Sequence, residues 1–332
     1  MKVLITGGAG FIGSNLARYH MEAGDEVYVV DDLSTGTTEN LKDWLEHPNF
    51  KLYTQDLLTW DGLYAVAARA ERVYHMAALV GMFRVIKEPI RVMAINVAGT
   101  ERLLRAIHAA EHNPRVIVAS SSEVYGENPC KLPDQPLDEE LDLNFHANRS
   151  LRWNYAISKL ADEALSISYA KQHGMPVTAV RFFNTVGPGQ TGRYGMVVPR
   201  FVRQAVNKEP ITVFGEGNQK RCFCDVRDTV RILDLLAGNQ DACGEVVNVG
   251  NQQEISIMGL AEKVRETSGN PVDIVRIPYE EAYGMDFTDI FHRKPELSKM
   301  LRLTDYQHRW DLDDTLQDLV ARQRADRETP NR

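Results

Sequence analysis

The sequence has little cysteine, and none of it has the spacing of a metal site. Four cysteines occur in 332 residues, and only Cys222 and Cys224 lie close together, without the Cys-x-x-Cys pairs typical of zinc sites. Disulfides are rare in reducing compartments. We therefore expect reduced structural thiols, no metal and a cytoplasmic protein.

Long apolar runs and excess positive charge are also missing. No apolar run approaches the length of a bilayer span, and Met1 leads into a strand-like segment without the regions of a signal peptide. Basic residues number 38 against 46 acidic ones, so no global positive field exists to attract polynucleotides. These absences predict neither a membrane nor a nucleic-acid partner.

Apolar runs and helical patterns alternate up to about residue 190. The runs, too apolar for strands with a solvent face, cover residues 3–6, 26–31, 51–55, 73–76, 115–120 and 177–183. Apolar residues at helical spacing cover residues 14–23, 100–112 and 155–173. This alternation predicts an α/β fold with a Rossmann-type, doubly wound parallel sheet.

The rhythm changes after Gly187, where proline and glycine become frequent. The sequence predicts a dinucleotide-binding domain over residues 1–187, to which residues 226–250 return. It predicts a smaller C-terminal substrate-binding lobe over residues 188–321. Residues 322–332 are polar and end without an apolar face, which predicts a flexible tail.

A glycine-rich turn joins the first predicted strand to the first helix. Gly8, Gly10 and Gly13 have the Rossmann spacing, in which glycine lets a pyrophosphate approach the backbone N–H groups of the helix N-terminus. The next strand ends in Asp31 and Asp32, where a carboxylate can accept hydrogen bonds from the adenosine ribose and repel a 2′-phosphate. The pattern predicts NAD as the cofactor.

Further residues at strand ends extend this predicted site. Asp56, after the third strand, is expected near the adenine. Ala77 and Ala78 follow the fourth strand, where small side chains let the cofactor lie against the strand end. Taken alone, each of these is more typical of packing or helix capping.

Tyr155 and Lys159 lie one helical turn apart on a predicted helix. A nearby ammonium and a positive nicotinamide ring stabilise a phenolate, which predicts a lowered phenol pKa and a base for a sugar or alcohol hydroxyl. Ser121 and Ser122 follow an apolar strand at the sheet edge where ligands bind, and a serine hydroxyl there could orient the same substrate oxygen. Tyrosine and lysine at this spacing also occur on ordinary helices.

Together these motifs resemble the extended short-chain dehydrogenase/reductase family, in its group of nucleotide-sugar epimerases, dehydratases and decarboxylases. The resemblance spans nearly the whole chain. It implies a homodimer and a nucleotide-sugar substrate. It assigns cofactor contacts to Gly7, Gly10, Phe11, Ile12, Gly13, Asp31, Asp56, Leu57, Asn96, Tyr155 and Lys159. It also implies that Asn184 meets the sugar nucleotide and that Arg221 pairs with its diphosphate.

The reaction after oxidation at sugar C4 stays open. Glu123 precedes Val-Tyr-Gly, as in dehydratases and decarboxylases, whereas many 4-epimerases have a non-acidic residue there. The stretches 152–155, 220–223 and 292–295 resemble the UDP-glucuronate decarboxylases of the aminoarabinose lipid A pathway, which implies that Arg293 enters the active site. The stretch 190–199 is more similar to 4-epimerases.

The sequence favours a 4-epimerase acting on a UDP-hexose or UDP-hexuronate, because epimerase-like features span more of the chain. A decarboxylase or dehydratase that uses Glu123 and Arg293 is the alternative. A dinucleotide-sensing protein without catalysis and a simple alcohol or steroid dehydrogenase fit less well. Tyr155 and Lys159 argue against the first, and Arg221 argues against the second.

Overall fold

Strands and helices alternate along most of the chain in the computed structural model, which describes residues 1–127, 135–145, 151–192, 195–283 and 293–328. The strands are β1 (Lys2–Thr6), β2 (Glu26–Asp31), β3 (Phe50–Thr54), β4 (Arg72–His75), β5 (Arg115–Ser121), β6 (Val177–Phe182), β7 (Thr185–Val186), β8 (Ile211–Phe214), β9 (Lys220–Cys222), β10 (Cys224–Asp225), β11 (Val246–Val249), β12 (Glu254–Ser256) and β13 (Ile274–Ile277). The helices are α1 (Phe11–Glu22), α2 (Gly62–Ala67), α3 (Met82–Lys87), α4 (Pro89–Ala109), α5 (Asn154–His173), α6 (Val197–Val206), α7 (Val226–Gly238), α8 (Ile257–Ser268), α9 (Tyr279–Tyr283), α10 (Ser298–Thr304) and α11 (Leu312–Glu328). Some residues of the stretches discussed above lie outside the described residues: Arg193, Tyr194, His292 and residues 329–332.

Seven parallel strands form the main sheet in the order β11-β6-β5-β4-β1-β2-β3. The strand order reverses between β1 and β4, which opens a crevice at the carboxyl ends of these strands. The predicted Rossmann-type sheet is confirmed, and β11 pairs with β6 at its edge.

Both faces of this sheet are buried, as the apolar strands require. Val3 and Ile5 of β1 pack in the core that includes α1 and α7, and Leu4 packs in the core that includes α2 and α4. Each fully buried aliphatic side chain contributes about 1.5–3 kcal/mol. The sheet is therefore a rigid platform for groups at its edge.

A second core forms where the chain leaves the sheet. It contains Phe201 of α6, Leu260 of α8 and Leu316 of α11, and the strand pair β8 and β13 lies beside it. This smaller lobe faces the carboxyl ends of the main strands and closes one side of the crevice.

Two boundaries differ from the sequence-based expectation. Helix α4 begins at Pro89, well before the predicted start at residue 100. Its first half is rich in β-branched residues and contains Gly99, which hide the helical pattern, but Val92, Asn96 and Gly99 are buried against neighbouring elements. Tertiary packing therefore stabilises a helix that local propensity does not indicate.

The predicted tail also starts differently. Helix α11 continues to Glu328, so residues 322–328 are helical, which corrects the tail boundary. Arg324 donates a hydrogen bond to the Ser268 carbonyl and Arg327 to the Val206 carbonyl. These arginines satisfy carbonyls at the C-terminal ends of α8 and α6, a role that a count of apolar residues does not reveal.

Candidate active site

A cavity of about 570 Å³ lies at the carboxyl edge of the main sheet and is closed on one side by the second lobe. This volume is in the usual range for a small-molecule site. The lining includes Asp31 and Asp56, at the carboxyl ends of the neighbouring strands β2 and β3, and Arg221 and Tyr279 from the smaller lobe. Tyr155 of α5 lines the same cavity.

The glycine turn packs so closely that side chains would collide with backbone. A Cβ on Gly13 would lie 2.2 Å from the Gly7 carbonyl oxygen. Gly7 has φ of +68°, and a Cβ there would lie 2.6 Å from the Ala77 nitrogen. Gly7, Gly10, Phe11, Ile12 and Gly13 all line the cavity. The turn therefore presents the N-terminus of α1 to the cavity without a side chain in the way.

Asp31 ends β2 and supports the glycine turn directly. Its two carboxylate oxygens accept hydrogen bonds from the backbone N–H groups of Ala9, at 2.9 Å, and Leu33, at 2.8 Å. Burial raises the pKa of Asp31, while these two hydrogen bonds oppose the rise. Each carboxylate oxygen has a second lone pair, so Asp31 can still accept from a ribose hydroxyl in the cavity. Asp32 lines the cavity beside it.

The other predicted cofactor contacts divide into two groups. Asp56, Leu57, Ala77 and Ala78 line the cavity, as expected. Asn96 does not belong to the lining and is only 1% exposed. Its carboxamide oxygen accepts from the Leu79 N–H, and its amide nitrogen donates to the Leu79 carbonyl and to Ser158. Asn96 thus fixes the cavity wall from behind, and its contact with the cofactor stays a prediction.

Tyr155 and Lys159 both line the cavity from the first turns of α5. Burial raises the pKa of the Tyr155 phenol above its ordinary value, although the Lys159 ammonium and a hydrogen bond with Ser121 act in the opposite direction. The lowering that the sequence predicts requires the positive nicotinamide ring as well as Lys159, and it stays a prediction. Burial, which spacing alone does not show, outweighs the nearby positive charge.

Three serines follow one another at the end of β5, and they have different surroundings. Ser121 accepts a hydrogen bond from the Glu123 N–H at 3.2 Å and begins the 3-10 turn Ser122–Tyr125. Ser122 is buried and lines the cavity. Ser120 donates to Glu163, which also pairs with Arg181 through two hydrogen bonds. Ser121 is thus the serine that meets Tyr155.

An ion pair lies on the cavity wall near Tyr155. Arg293 donates a hydrogen bond to Glu123 at 2.7 Å, and both residues line the cavity. Burial opposes ionisation of Glu123, but the charges of Arg293, Arg152 and Arg221 outweigh it and lower the pKa of this carboxyl. Glu123 is therefore an anion among three cations.

Backbone pairing holds Arg293 in place. The N–H of Leu137 donates to the Lys294 carbonyl, and the N–H of Glu296 donates back to Leu137. Arg293 itself is 6% exposed. This loop brings to Glu123 a residue that is far away along the chain.

Asn184 and Arg221 belong to one corner of the cavity. The Asn184 side chain donates to the Cys222 carbonyl at 3.1 Å, next to Arg221 on β9. Both residues line the cavity, as the resemblance implies. Arg152 also lines the cavity, and it belongs to the stretch 152–155, whose residue types alone indicate no role for it.

Cys222 and Cys224 are buried free thiols on two short strands, and burial raises the pKa of each to about 12.

Among the described residues, no group of three or more His, Cys, Asp or Glu gathers in the manner of a metal site. Within the same residues, no helix has the length and apolarity needed to cross a membrane.

The sheet, the glycine turn and the long cavity define the class of a dinucleotide-dependent enzyme. Residues 3–250 match the model of the NAD dependent epimerase/dehydratase family. The chain therefore belongs to this family. The expected family, enzyme class and NAD cofactor are confirmed.

The sequence relatives and the structural neighbours are named for different reactions. The chain is 34% identical over 306 residues to a UDP-N-acetyl-alpha-D-glucosaminuronate decarboxylase of Bacillus cytotoxicus, covering 92% of each chain. It is 35% identical over 301 residues to UDP-glucuronic acid decarboxylase 3 of Arabidopsis thaliana, covering 90% of this chain and 82% of that protein. Among solved structures, a UDP-glucuronic acid 4-epimerase of Bacillus cereus in complex with UDP-glucuronic acid and NAD is 26% identical with a TM-score of 0.85, covering 98% and 99%.

Proposed function

We propose that this chain is an NAD-dependent decarboxylase of a UDP-linked uronate, in which the sugar is first oxidised at C4. The observation that carries the proposal is the ion pair of Glu123 and Arg293 across the sugar end of the cavity. The sequence relatives that are decarboxylases support it. The sequence alone favours a 4-epimerase and keeps the decarboxylase as the alternative; the decarboxylase is now the preferred function.

The residues at the other end of the cavity fit NAD. The glycine turn leaves backbone N–H groups for a pyrophosphate, and Asp31 offers acceptor positions for a ribose. Tyr155 and Lys159 lie where the nicotinamide half would reach. When bound, NAD supplies the acceptor for the hydride that leaves C4.

Tyr155 takes the proton of the 4-hydroxyl in the first step. Its phenol is hydrogen-bonded with Ser121, so the serine hydroxyl can hold the same substrate oxygen in line. Lys159 stabilises the phenolate that accepts the proton. The product of this step is a C4 ketone, which makes the C6 carboxylate a β-keto acid.

Loss of carbon dioxide follows from that ketone. The C5–C6 bond breaks, and its electron pair moves onto the C4 oxygen, where Tyr155 now holds the proton that it took. C5 then receives a proton from solvent, which restores the C4 ketone. With the hydride returned to C4 and the Tyr155 proton to its oxygen, this ketone becomes the 4-hydroxyl of a UDP-linked pentose. Glu123 is held as an anion, so it acts through its charge and not as an acid. A fixed anion beside the C6 carboxylate favours the loss of that charge as neutral carbon dioxide, while Arg152 and Arg293 bind the uronate.

Epimerisation and dehydration match the residues of the site less well than decarboxylation does. A 4-epimerase needs Tyr155 and room for the keto sugar to turn, but it has no use for the Glu123–Arg293 pair. A dehydratase needs both a base for C5 and an acid for the leaving hydroxyl. Among the described lining residues, Glu123 is the carboxylate at the sugar end, and Asp31, Asp32 and Asp56 lie at the adenosine end.

A substrate panel tests the proposal. The purified protein is incubated with UDP-glucuronate, UDP-N-acetylglucosaminuronate and UDP-glucose, and sugar products, carbon dioxide and NADH absorbance are followed. We expect carbon dioxide and a UDP-linked pentose from one of the uronates and no turnover of UDP-glucose. A 4-epimer without carbon dioxide would instead establish the epimerase. Stoichiometric NADH would show that the keto pentose leaves before it is reduced. A homodimer remains the prediction from family resemblance, and a cytoplasmic location remains the prediction from cysteine usage.

A further inference from the structure

A buried ion pair lies behind the Tyr155–Lys159 pair. The Lys159 ammonium donates to Asp162 Oδ2 at 3.0 Å. Lys159 is 1% exposed and Asp162 is fully buried. Lys159 lines the cavity but Asp162 does not. The carboxylate therefore holds the ammonium from the protein side, opposite the cavity.

Asp162 differs from the neighbouring carboxylate on the same helix. Glu163 binds Arg181 through both of its oxygens and also accepts from Ser120. Asp162 Oδ1, by contrast, forms no hydrogen bond of standard geometry with the described residues, and the nearby Thr100 hydroxyl only partly compensates for its burial. A buried carboxylate with an unsatisfied oxygen costs free energy, and an apolar side chain would serve packing at least as well. Stability alone does not account for an aspartate here.

Few other charges face this pair. From β4, His75 hydrogen-bonds to Thr100 of α4, and burial together with the Lys159 charge lowers its pKa to about 3, so it is neutral. From α5, Glu163 acts on both Lys159 and Asp162, but Arg181 compensates its charge. From the turn after β5, Glu123 acts on Tyr155 and is compensated by Arg293.

We propose that Asp162 is a positioning residue for the redox pair: its carboxylate fixes the Lys159 ammonium and offsets part of its charge, and so sets the pH range in which Tyr155 takes the substrate proton. The inference rests on the proposed role of Tyr155 as base.

Electrostatics gives the direction of this effect. Burial alone would lower the pKa of the Lys159 ammonium, but Asp162 and Tyr155 raise it above its ordinary value, so the lysine stays charged in the interior. The Asp162 charge acts on Tyr155 in the opposite direction to Lys159 and disfavours the phenolate. Asp162 thus keeps the base protonated to a higher pH than an uncompensated lysine would.

Replacing Asp162 by asparagine tests this inference, because the shape is kept and the charge removed. Phenolate absorbance is titrated in the NAD-loaded protein with and without the Tyr155→Phe change, so that the difference reports Tyr155 alone. We expect Asp162→Asn to move this titration downward by about one pH unit, and the acid limb of kcat with it. Asp162→Glu, which keeps the charge, should restore the titration of the unmodified protein. Glu101→Gln removes one negative charge from the exposed side of α4 and should leave the titration unchanged.

Each outcome bears on the inference. A titration that stays in place, or moves upward because Lys159 has lost its proton, would overturn it. If the asparagine variant does not fold, Asp162→Glu decides, because a large displacement with the charge retained would contradict the role assigned to that charge. The proposed function fails separately, if Tyr155→Phe keeps full turnover.

Discussion

In the proposed function, the two ends of the cavity recognise NAD and the sugar by different means. At the adenosine end, the contacts are mainly with backbone. A glycine turn lets the cofactor approach backbone N–H groups, and Asp31 stabilises that turn by accepting a hydrogen bond from the N–H of Ala9. At the sugar end, ionised side chains gather from separate parts of the chain, among them Glu123, Arg221 and Arg293. Glycine turns of this kind recur in dinucleotide-binding folds. In the proposed function, the second end determines which reaction follows oxidation.

Removing the Tyr155 hydroxyl should have the largest effect, because both ends meet at this residue. We expect Tyr155→Phe to lower kcat by about 10³-fold, the usual contribution of a positioned acid or base, with NAD affinity nearly unchanged. Steady-state kinetics and NAD titration measure the two. Tyr169→Phe on the same helix is the matched control and should keep full activity. Retained turnover in Tyr155→Phe would remove the base from this account.

Neutralising Glu123 should separate the two chemical steps at the sugar end. We expect Glu123→Gln to slow carbon dioxide release by about 10²-fold, since the fixed anion is lost and Arg293 is left unpaired. Oxidation at C4, followed as NADH absorbance in a single turnover, should be affected much less. Equal loss of both steps would mean that Glu123 only maintains the site's structure.

Adding one methyl group to the glycine turn should affect the adenosine end alone. A Cβ on Gly13 meets the Gly7 carbonyl at 2.2 Å, so the turn must shift. We expect Gly13→Ala to weaken NAD binding by at least about tenfold, which corresponds to about 1.4 kcal/mol. In Gly238→Ala, the new Cβ meets only the flexible end of Arg72 at 3.4 Å, and affinity should not change. Comparable losses in the two variants would contradict the steric explanation.

Replacing Asn96 should have the smallest effect on NAD binding, and it tests whether this residue belongs to the cofactor site. Because its side chain forms three buried hydrogen bonds and does not line the cavity, Asn96→Ala should cost about 2 kcal/mol of unfolding free energy. Chemical denaturation measures this cost. NAD affinity measured well below the melting temperature should fall less than in Gly13→Ala. A larger loss of affinity would restore Asn96 as a direct contact.

The sequence predicts the adenosine end well because that end is local. Gly7 to Gly13 follow one another along the chain, and Asp31 ends the very next strand. Strand runs are also easy to recognise, since a strand buried on both faces must be apolar throughout. Helix α4 is harder, because Gly99 and β-branched residues mask a helix that packing stabilises.

The sugar end could be inferred only through family resemblance. No spacing rule connects Glu123 with Arg293, which meet because the loop of Arg293 pairs with Leu137. Asp162 is three residues from Lys159, but a charged pair at this spacing on a helix is usually exposed to solvent. Burial, which the sequence does not display, turns it into part of the site.

The fate of the sugar carboxylate carbon distinguishes decarboxylation of a UDP-linked uronate from its epimerisation. UDP-glucuronate and UDP-N-acetylglucosaminuronate, each labelled at C6, are incubated separately with the NAD-loaded protein, and the label is followed in the gas phase and in the nucleotide sugar. We expect label from one of these substrates to leave as carbon dioxide in step with formation of a UDP-linked pentose. Label that remains in a uronate epimerised at C4 would contradict it.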